Sequence, residues 1–313
     1  MNFRTVDDMN ITICKNIGKV PRDIDLVVGI PRSGMLPASL LALYLNQPIT
    51  DLNTFNEGKI YQTGTTRKQS KWIEAVSDAK HVLVVDDSIS TGEAIKSAKQ
   101  SVLALNLRCK VTYCAVYVVP TAIFNVDFYF EICNHPRSFE WNYMHAWTLE
   151  YACVDIDGVL CEEPSMHVLL SKSKYVDFLI NAPPKYIPTK KVGYLVSGRK
   201  EEYRKVTEMW LAKYNVEYNQ LMLLPKEKTI DVMGNAEYGE YKARIYSSTE
   251  CFIFIESNFE QAVKICEIAN RQVFCVDNHK LISPDNLLSQ VAMIKRDGMI
   301  TIKRIAKKLL KRT

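Results

Sequence analysis

Short, uninterrupted apolar segments, separated by stretches of helical composition, limit the folds that this 313-residue sequence can adopt. Three such segments, rich in Val and Ile, occupy positions 26–30, 82–85 and 111–119. Strands that are buried on both faces of a parallel sheet have this composition. The intervening segments 35–45 and 92–105 have the composition of helices. Alternation of strand and helix predicts an α/β domain with a parallel sheet.

The same alternation starts again in the second half of the chain, which indicates a second α/β domain. No Gly/Ser-rich linker separates the halves, and an aromatic-rich stretch precedes the new start. Further apolar segments lie at 151–156, 192–196, 251–255 and 272–276. The predicted organisation is two Rossmann-like domains, at 1–148 and 149–286, followed by a tail at 287–313.

Composition places the chain among globular proteins rather than fibrous, disordered or membrane proteins. Hydrophobic residues make up 47% and charged residues 24% of the sequence. No run of about 18 apolar residues occurs, and the N-terminal segment has no apolar core of signal-peptide length. The nine Cys form no CxxC pair, which predicts reduced thiols, a cytoplasmic location and no zinc site.

Two adjacent carboxylates and a small, hydroxyl-rich turn follow the apolar segment 82–85. The sequence of 86–94 is DDSISTGEA. A glycine-containing turn that opens a helix offers backbone N–H groups to a phosphate. Asp86 and Asp87 can hold vicinal hydroxyls or a cation beside it. A phosphate next to a diol is the chemistry of ribose 5-phosphate, whereas a plain helix N-cap would not require the paired acids.

Over 82–94 the sequence VLVVDDSISTGEA resembles the signature of type I phosphoribosyltransferases, which implies that fold for the first domain. The resemblance implies phosphoribosyl pyrophosphate (PRPP) as substrate, used with Mg²⁺. It implies that the two acids contact the ribose and that the turn binds the 5-phosphate. The motif VGIPRSG resembles the family's pyrophosphate loop, and the polar segment 57–70 lies where the family has a lid, although an exposed loop is the alternative there. The implied PRPP-binding residues are Arg32, Ser33, Arg67, Lys68, Asp86, Asp87, Ser88, Ser90, Thr91 and Gly92.

The sequence constrains the acceptor less than the donor. Members of this family that act on 6-oxopurines usually carry Asp at the position of Ser90, so serine argues against hypoxanthine, guanine or xanthine. The segment 135–144, HPRSFEWNYM, is predicted to cover the acceptor. Its Phe139, Trp141 and Tyr143 either stack against a base or sugar or pack at the domain junction.

A second acidic motif follows the first apolar segment of the second half. The sequence of 154–160 is VDIDGVL, whose D-x-D-G-V-L pattern resembles haloacid dehalogenase-like (HAD-like) phosphatases. The resemblance implies an HAD-like fold, with Asp155 as nucleophile and Asp157 as general acid and base. Calcium-binding loops share D-x-D-G, but three further motifs follow in the family order: LVSGR with Ser197, YKAR with Lys242, and FIFIESN with Glu256.

The resemblance also implies roles for these later residues. Ser197 supplies a hydroxyl, and Lys242 balances phosphoryl charge, with Lys226 as the rival for that role. Asn258 stands where the family often has a second acid. The short spacing between motifs leaves room for only a small cap, which favours a bulky substrate. The implied Mg²⁺ ligands are Asp155, Asp157 and Glu256, and a non-catalytic phosphatase-like scaffold is the alternative.

The positive net charge of +5 is concentrated at the C-terminus. Residues 295–313 contain eight Lys or Arg and one Asp, so the rest of the chain is slightly acidic. Helical spacing places Ile302, Ile305, Ala306 and Leu309 on one face and the basic residues on the other. This pattern predicts peripheral contact with an anionic membrane or packing on the protein. No nucleic-acid partner is expected, because no aromatic-basic patch accompanies the tail.

Together the two resemblances predict a bifunctional enzyme. The architecture is similar to two-domain glycan phosphoribosyltransferase–phosphatases of bacterial polysaccharide assembly. That similarity implies transfer of 5-phosphoribose to a glycan hydroxyl, lipid-linked glycans included, and removal of the 5-phosphate to leave β-ribofuranose. Two alternatives stay open: a nucleobase phosphoribosyltransferase coupled to a nucleotide phosphatase, and a non-catalytic sensor of PRPP.

Overall fold

The computed structural model describes residues 1–61, 64, 66, 72–225 and 234–292. Contacts divide the chain into two compact units, Asn2–Trp141 and Asn142–Thr313, the second also including Met1. The division lies between Trp141 and Asn142, ahead of the expected boundary at 148. No helix in the described part is long and apolar enough to cross a membrane. Residues 293–313, which hold most of the basic tail, lie outside the described residues.

The first unit is built on a five-stranded parallel sheet with strand order β3–β2–β4–β5–β6. Its strands are β2 (Leu26–Gly29), β3 (Ile49–Asp51), β4 (His81–Ile89), β5 (Lys110–Val118) and β6 (Phe128–Ile132). A separate parallel pair joins β1 (Asn2–Arg4) to β7 (Arg137–Phe139). The helices are α1 (Val6–Asn16), α2 (Met35–Leu45), α3 (Leu52–Asn56) and α4 (Glu93–Ala104).

Apolar side chains alternate between the two faces of this sheet and form a core on each. Val82 and Val84 of β4 belong to one buried cluster, while Leu83 and Val85 belong to the other. Strands buried on both faces require the continuous apolar runs that the sequence shows. The predicted parallel α/β fold of this unit is therefore confirmed.

Strand β4 is longer than the apolar run 82–85 indicates, because it continues through the acidic pair to Ile89. Pairing with β5 joins Asp86 to Ala115 and Ser88 to Tyr117. The two acids therefore lie within the strand and do not mark its end, although they follow the apolar run that predicted it. Both are held in buried surroundings by the sheet itself.

The second unit contains a six-stranded sheet with order β10–β9–β8–β11–β12–β13, in which only β13 runs antiparallel to its neighbour. Only two short helices, α5 and α6, lie in the described chain between β8 and β9. The strands are β8 (Ala152–Val154), β9 (Val192–Lys200), β10 (Tyr218–Leu224), β11 (Ile253–Glu256), β12 (Val273–Cys275) and β13 (Lys280–Ile282). The helices are α5 (Met166–Leu169), α6 (Lys172–Asn181), α7 (Arg204–Lys213), α8 (Asn235–Ser247) and α9 (Phe259–Ala269).

Each sheet has a point where the chain reverses the direction in which strands are added. In the first unit this point lies between β2 and β4, and in the second between β8 and β11. Loops diverge there at the carboxyl ends of the strands, which leaves a crevice for a ligand. Both acidic motifs of the sequence lie at these two positions.

Candidate active sites

Asp87 is fixed by donors from two different parts of the first unit. Its Oδ1 accepts a hydrogen bond from Ser33 Oγ at 2.9 Å, and its Oδ2 accepts one from Trp141 Nε1 at 2.7 Å. Asp86 turns its Oδ1 to the backbone N–H of Asp87, 2.9 Å away. The pair is therefore pre-oriented within β4, near the carboxyl end of the strand, as a site for a diol or cation requires.

The two carboxylates are too close and too buried to ionise independently. Burial, followed by the charge of Asp87, raises the pKa of Asp86 to about 8. A raised pKa of this size favours the protonated form of the Asp86 carboxyl at neutral pH. The pair can then donate one hydrogen bond and accept others, which matches two neighbouring hydroxyl groups.

The turn after β4 has a backbone that only glycine suits. Gly92 has φ of 83°, and a Cβ there would lie 2.5 Å from Asn125 Nδ2. The Thr91 hydroxyl accepts a hydrogen bond from the backbone N–H of Glu93 at 3.4 Å. Helix α4 begins directly after this turn, and the N-terminus of a helix is a favourable place for a phosphate.

The loop after β2 carries Arg32 and Ser33. Gly34 is packed so closely that a Cβ would lie 2.5 Å from the carbonyl oxygen of Ile30 and 2.8 Å from that of Val85. This packing draws the loop against β4 and brings Ser33 to Asp87. Arg32 is exposed in the same loop. The predicted lid residues Arg67 and Lys68 lie outside the described residues.

Aromatic residues of the predicted acceptor segment divide between the two units. Trp141 stacks on Phe139 with ring centroids 4.8 Å apart, and Phe139 stacks on Tyr117 at 5.4 Å. Phe139 is buried in this stack, so its face is occupied by protein. Tyr143 belongs to the second unit, where its ring meets the edge of Phe274 at 5.5 Å. Tyr143 thus belongs to a different unit from Phe139 and Trp141.

Two polar residues of the same segment, which sequence analysis did not single out, also approach the first site. His135 Nε2 lies 2.9 Å from Ser90 Oγ. Arg137 is buried, its guanidinium lies over the ring of Phe139, and its Nη1 has no hydrogen-bond partner among the described residues. In the sequence, the basic character of His135 and Arg137 within HPRSFEW was the only indication of these contacts.

Lys242 is the centre of the second site. Its Nζ donates to Asp155 Oδ2 at 2.6 Å, to Glu256 Oε2 at 2.7 Å and to Gln261 Oε1 at 2.8 Å. Burial opposes the charge of the ammonium, but the two carboxylates outweigh it and raise the pKa of Lys242. Three of the predicted residues, from three separate motifs, are thus brought together after β8, at the end of β11 and in α8.

Asp157 is held by Arg199, a residue of the LVSGR motif that the prediction passed over. Arg199 Nη2 lies 2.6 Å from Asp157 Oδ1, and its Nε lies 3.0 Å from Oδ2. Although burial opposes it, the Asp157 carboxylate raises the pKa of Arg199. Ser197 is fully buried, and its hydroxyl accepts a hydrogen bond from the Arg199 N–H at 3.3 Å.

The turn around Gly158 is fastened to the end of β11. Gly158 has φ of 77°, and a Cβ there would collide with Ser257 Oγ. Ser257 Oγ donates to the carbonyl oxygen of Asp157 at 3.3 Å. Asn258, whose role was in doubt, is the N-cap of α9 and accepts from Gln261 N at 3.0 Å. The rival lysine, Lys226, lies outside the described residues.

The donor atoms of Asp155 and Glu256 suit Mg²⁺, which prefers carboxylate oxygens. Both carboxylates point at the same Lys242 ammonium, so they converge on one position. The side chain of Asp157, predicted as a third ligand, is instead paired with Arg199 through both oxygens. In the described part of the chain, no three His, Cys, Asp or Glu residues form a ready metal-binding group.

Comparison with known families decides the identity of the first unit. Residues 6–148 match the family described as "Phosphoribosyl transferase domain". This part of the chain is a phosphoribosyl transferase domain. The match supports phosphoribosyltransferase activity, with PRPP as the expected substrate and Mg²⁺ as the usual cofactor of such domains. A comparison with curated proteins finds no match.

Solved structures similar to the phosphoribosyl transferase domain include three enzymes named for different acceptors. The xanthine-guanine-hypoxanthine phosphoribosyltransferase of Helicobacter pylori is 14% identical, with a TM-score of 0.34, 45% of this chain and 90% of that chain covered. A Pyrococcus horikoshii purine phosphoribosyltransferase is 17% identical, with a TM-score of 0.32 and coverages of 45% and 92%. Orotate phosphoribosyltransferase from Aeropyrum pernix is 16% identical, with a TM-score of 0.29 and coverages of 40% and 70%.

Proposed function

We propose that the phosphoribosyl transferase domain transfers 5-phosphoribose from PRPP to a hydroxyl group of a glycan, and that the second unit then removes the 5-phosphate. The observation that carries the first step is the buried Asp86–Asp87 pair, oriented by Ser33 and Trp141 beside a glycine turn. A diol site, a phosphate-binding turn and a cation-bearing loop, arranged around one crevice, match the three parts of PRPP.

Each part of PRPP has its own group of residues in this proposal. The turn with Ser88, Thr91 and Gly92 binds the 5-phosphate, and the acidic pair orients the ribose through its 2- and 3-hydroxyls. Arg32 and Ser33 contact the pyrophosphate. Mg²⁺ bound with PRPP supplies neutralisation of the leaving pyrophosphate. The bond from C1 to pyrophosphate breaks while the acceptor oxygen bonds to C1 from the opposite face, so an α-donor gives a β-ribofuranosyl product.

The second unit is proposed to be an HAD-like phosphomonoesterase. Asp155 follows the central strand β8, and Lys242 donates a hydrogen bond to the Asp155 carboxylate. Asp155 attacks phosphorus to give an aspartyl phosphate, and the departing alkoxide takes a proton from Asp157. For Asp157 to carry that proton, its ion pair with Arg199 must first open. Water, deprotonated by Asp157, then releases phosphate and restores Asp155. Mg²⁺ held by Asp155 and Glu256 would neutralise charge on the phosphoryl oxygens. Ser197 would supply a hydroxyl that hydrogen-bonds to the phosphoryl group.

Three features favour a glycan over a nucleobase as acceptor. Ser90 replaces the Asp that members of the family acting on 6-oxopurines usually carry. Only α5 and α6 lie between β8 and β9 in the described chain, so the cap that this segment can form is small, which favours a bulky substrate. A nucleotide made by the first unit would simply lose its phosphate in the second, whereas a glycan would keep its ribofuranose.

Pyrophosphate release from PRPP tests the transferase part of this proposal. The protein is incubated with PRPP, Mg²⁺ and either alkyl glycosides of common hexoses and N-acetylhexosamines or nucleobases. We expect glycoside-dependent release that Asp87→Asn abolishes and that the matched surface variant Asp7→Asn retains. Conversion of a nucleobase alone would contradict the glycan acceptor, and PRPP binding without any turnover would indicate a sensor.

A further inference from the structure

One pair of polar side chains at the edge of the first site includes Ser90, which the family resemblance implied as a 5-phosphate ligand and which the function proposed above leaves free to meet the acceptor. Ser90, in the turn after β4, places its Oγ 2.9 Å from Nε2 of His135, in the segment between β6 and β7. Both residues are exposed, so a bound acceptor can reach them. The contact joins parts of the chain 45 residues apart. It is therefore a product of the fold and not of local sequence.

The surroundings of His135 favour the neutral form of its ring. Although His135 is exposed as a whole, partial burial of its ring, followed by the charge of Arg137, lowers the pKa of His135 below its ordinary value. Arg137 is the charged side chain that acts on the ring from the β7 side, and Ser90 on the other side is uncharged. Arg137 is itself buried, and its Nη1 lacks a hydrogen-bond partner among the described residues. A neutral imidazole can accept a proton at physiological pH.

The proposed reaction needs such a proton acceptor. A sugar hydroxyl is a weak nucleophile at neutral pH and must lose its proton as its oxygen bonds to C1. A serine hydroxyl alone is no base, so Ser90 cannot by itself replace the Asp of the family members that act on 6-oxopurines. Serine with a histidine behind it can, as in other nucleophile–base pairs.

We propose that Ser90 and His135 together remove the proton of the acceptor hydroxyl, an inference that rests on the proposed function of the first unit. The acceptor hydroxyl gives its proton to Ser90 Oγ as the new C1–O bond forms, and Ser90 gives its own proton to His135 Nε2. The electron pair of the broken C1–O bond leaves with pyrophosphate. His135, protonated on both nitrogens, returns one proton to solvent. Ser90 then contacts the acceptor, and His135 acts through it.

Three variants of the full chain test this assignment: His135→Gln, Ser90→Ala and the control His167→Gln, an exposed histidine of α5. General bases contribute about 10²- to 10⁴-fold, so we expect kcat to fall at least 100-fold in the first two variants and to stay unchanged in the third. The dissociation constant of PRPP with Mg²⁺, measured by calorimetry, should be unchanged in His135→Gln. Circular dichroism verifies that each variant is folded.

A pH profile separates catalysis from a structural role. In the wild type, log kcat should fall as the pH drops through the lowered pKa of His135, and in His135→Gln this decline should disappear. A His135→Gln enzyme with wild-type kcat, or with an unchanged acid limb, would overturn the inference. The assay uses whichever acceptor releases pyrophosphate, water included, so conversion of a nucleobase would contradict the glycan proposal while still testing His135.

Discussion

The buried ion pair of the second unit gives a quantitative prediction for Arg199→Met. The Arg199 side chain is 0% exposed and that of Asp157 14% exposed, and their nitrogen and oxygen atoms approach to 2.6 Å. Methionine fills much of the same space but leaves the carboxylate without its cation. Removal of one partner from a buried ion pair costs about 3–5 kcal/mol. We expect the second unit to lose roughly this free energy of unfolding, about 3–5 kcal/mol.

Urea unfolding of the full chain, followed by circular dichroism and tryptophan fluorescence, measures this loss. Buried Trp210 reports on the second unit. The matched control is Arg204→Met, because Arg204 pairs with Glu201 and both side chains are 36% exposed. Exposed pairs contribute about 1 kcal/mol or less. The double variant Asp157→Asn/Arg199→Met should be more stable than either single variant. A cost for Arg199→Met no larger than that of Arg204→Met would refute the reasoning from burial.

Three further predictions concern the first site. Trp141→Phe keeps the ring stack but removes the N–H donor to Asp87; since a hydrogen bond to a charged group is worth about 1.5–3 kcal/mol, steady-state kinetics should show kcat/KM for PRPP reduced about 10- to 100-fold, and an unchanged value would exclude this orienting role. Gly92→Ala places a Cβ against Asn125 at φ of 83°, so calorimetry should show PRPP binding weakened more than about tenfold, in contrast to Gly18→Ala, where the space is open. Because Asp86 has its pKa raised to about 8, the folded state binds more protons than the unfolded state between about pH 4 and pH 8; its ionisation therefore lowers stability as pH rises, and Asp86→Asn should stabilise the protein more at pH 8 than at pH 5, whereas equal effects in urea unfolding would contradict the raised pKa.

The sequence predicted the central strands well because their apolar runs are a direct consequence of burial on both faces. Helix α2 was predicted with the observed bounds, and α4 to within one residue. Strand β4 was predicted too short because its last residues are polar, although their backbone still pairs with β5. Short strands such as β3 and β7, of three residues each, carry too few side chains to show a period.

The partners of the predicted site residues were harder to foresee than the residues themselves. Motifs identified Asp87 and Asp157, because two acids that follow an apolar run are conspicuous in a sequence. Trp141, the hydrogen-bond partner of Asp87, lies 54 residues away in the chain, and Arg199, the ion-pair partner of Asp157, lies 42 residues away. Such contacts depend on how strands are ordered in the sheet, which no local pattern contains. The motif LVSGR predicted a role for Ser197 but none for Arg199.

The mass of the product formed by two forms of the enzyme tests the central proposal most directly. Wild type and Asp155→Asn are incubated with PRPP, Mg²⁺ and the same alkyl glycoside, and the glycoside is analysed by mass spectrometry. The proposal predicts a glycoside that carries phosphoribose in Asp155→Asn and plain ribose in the wild type. An identical product from both forms, or a glycoside left unmodified by both, would contradict two consecutive reactions on one acceptor.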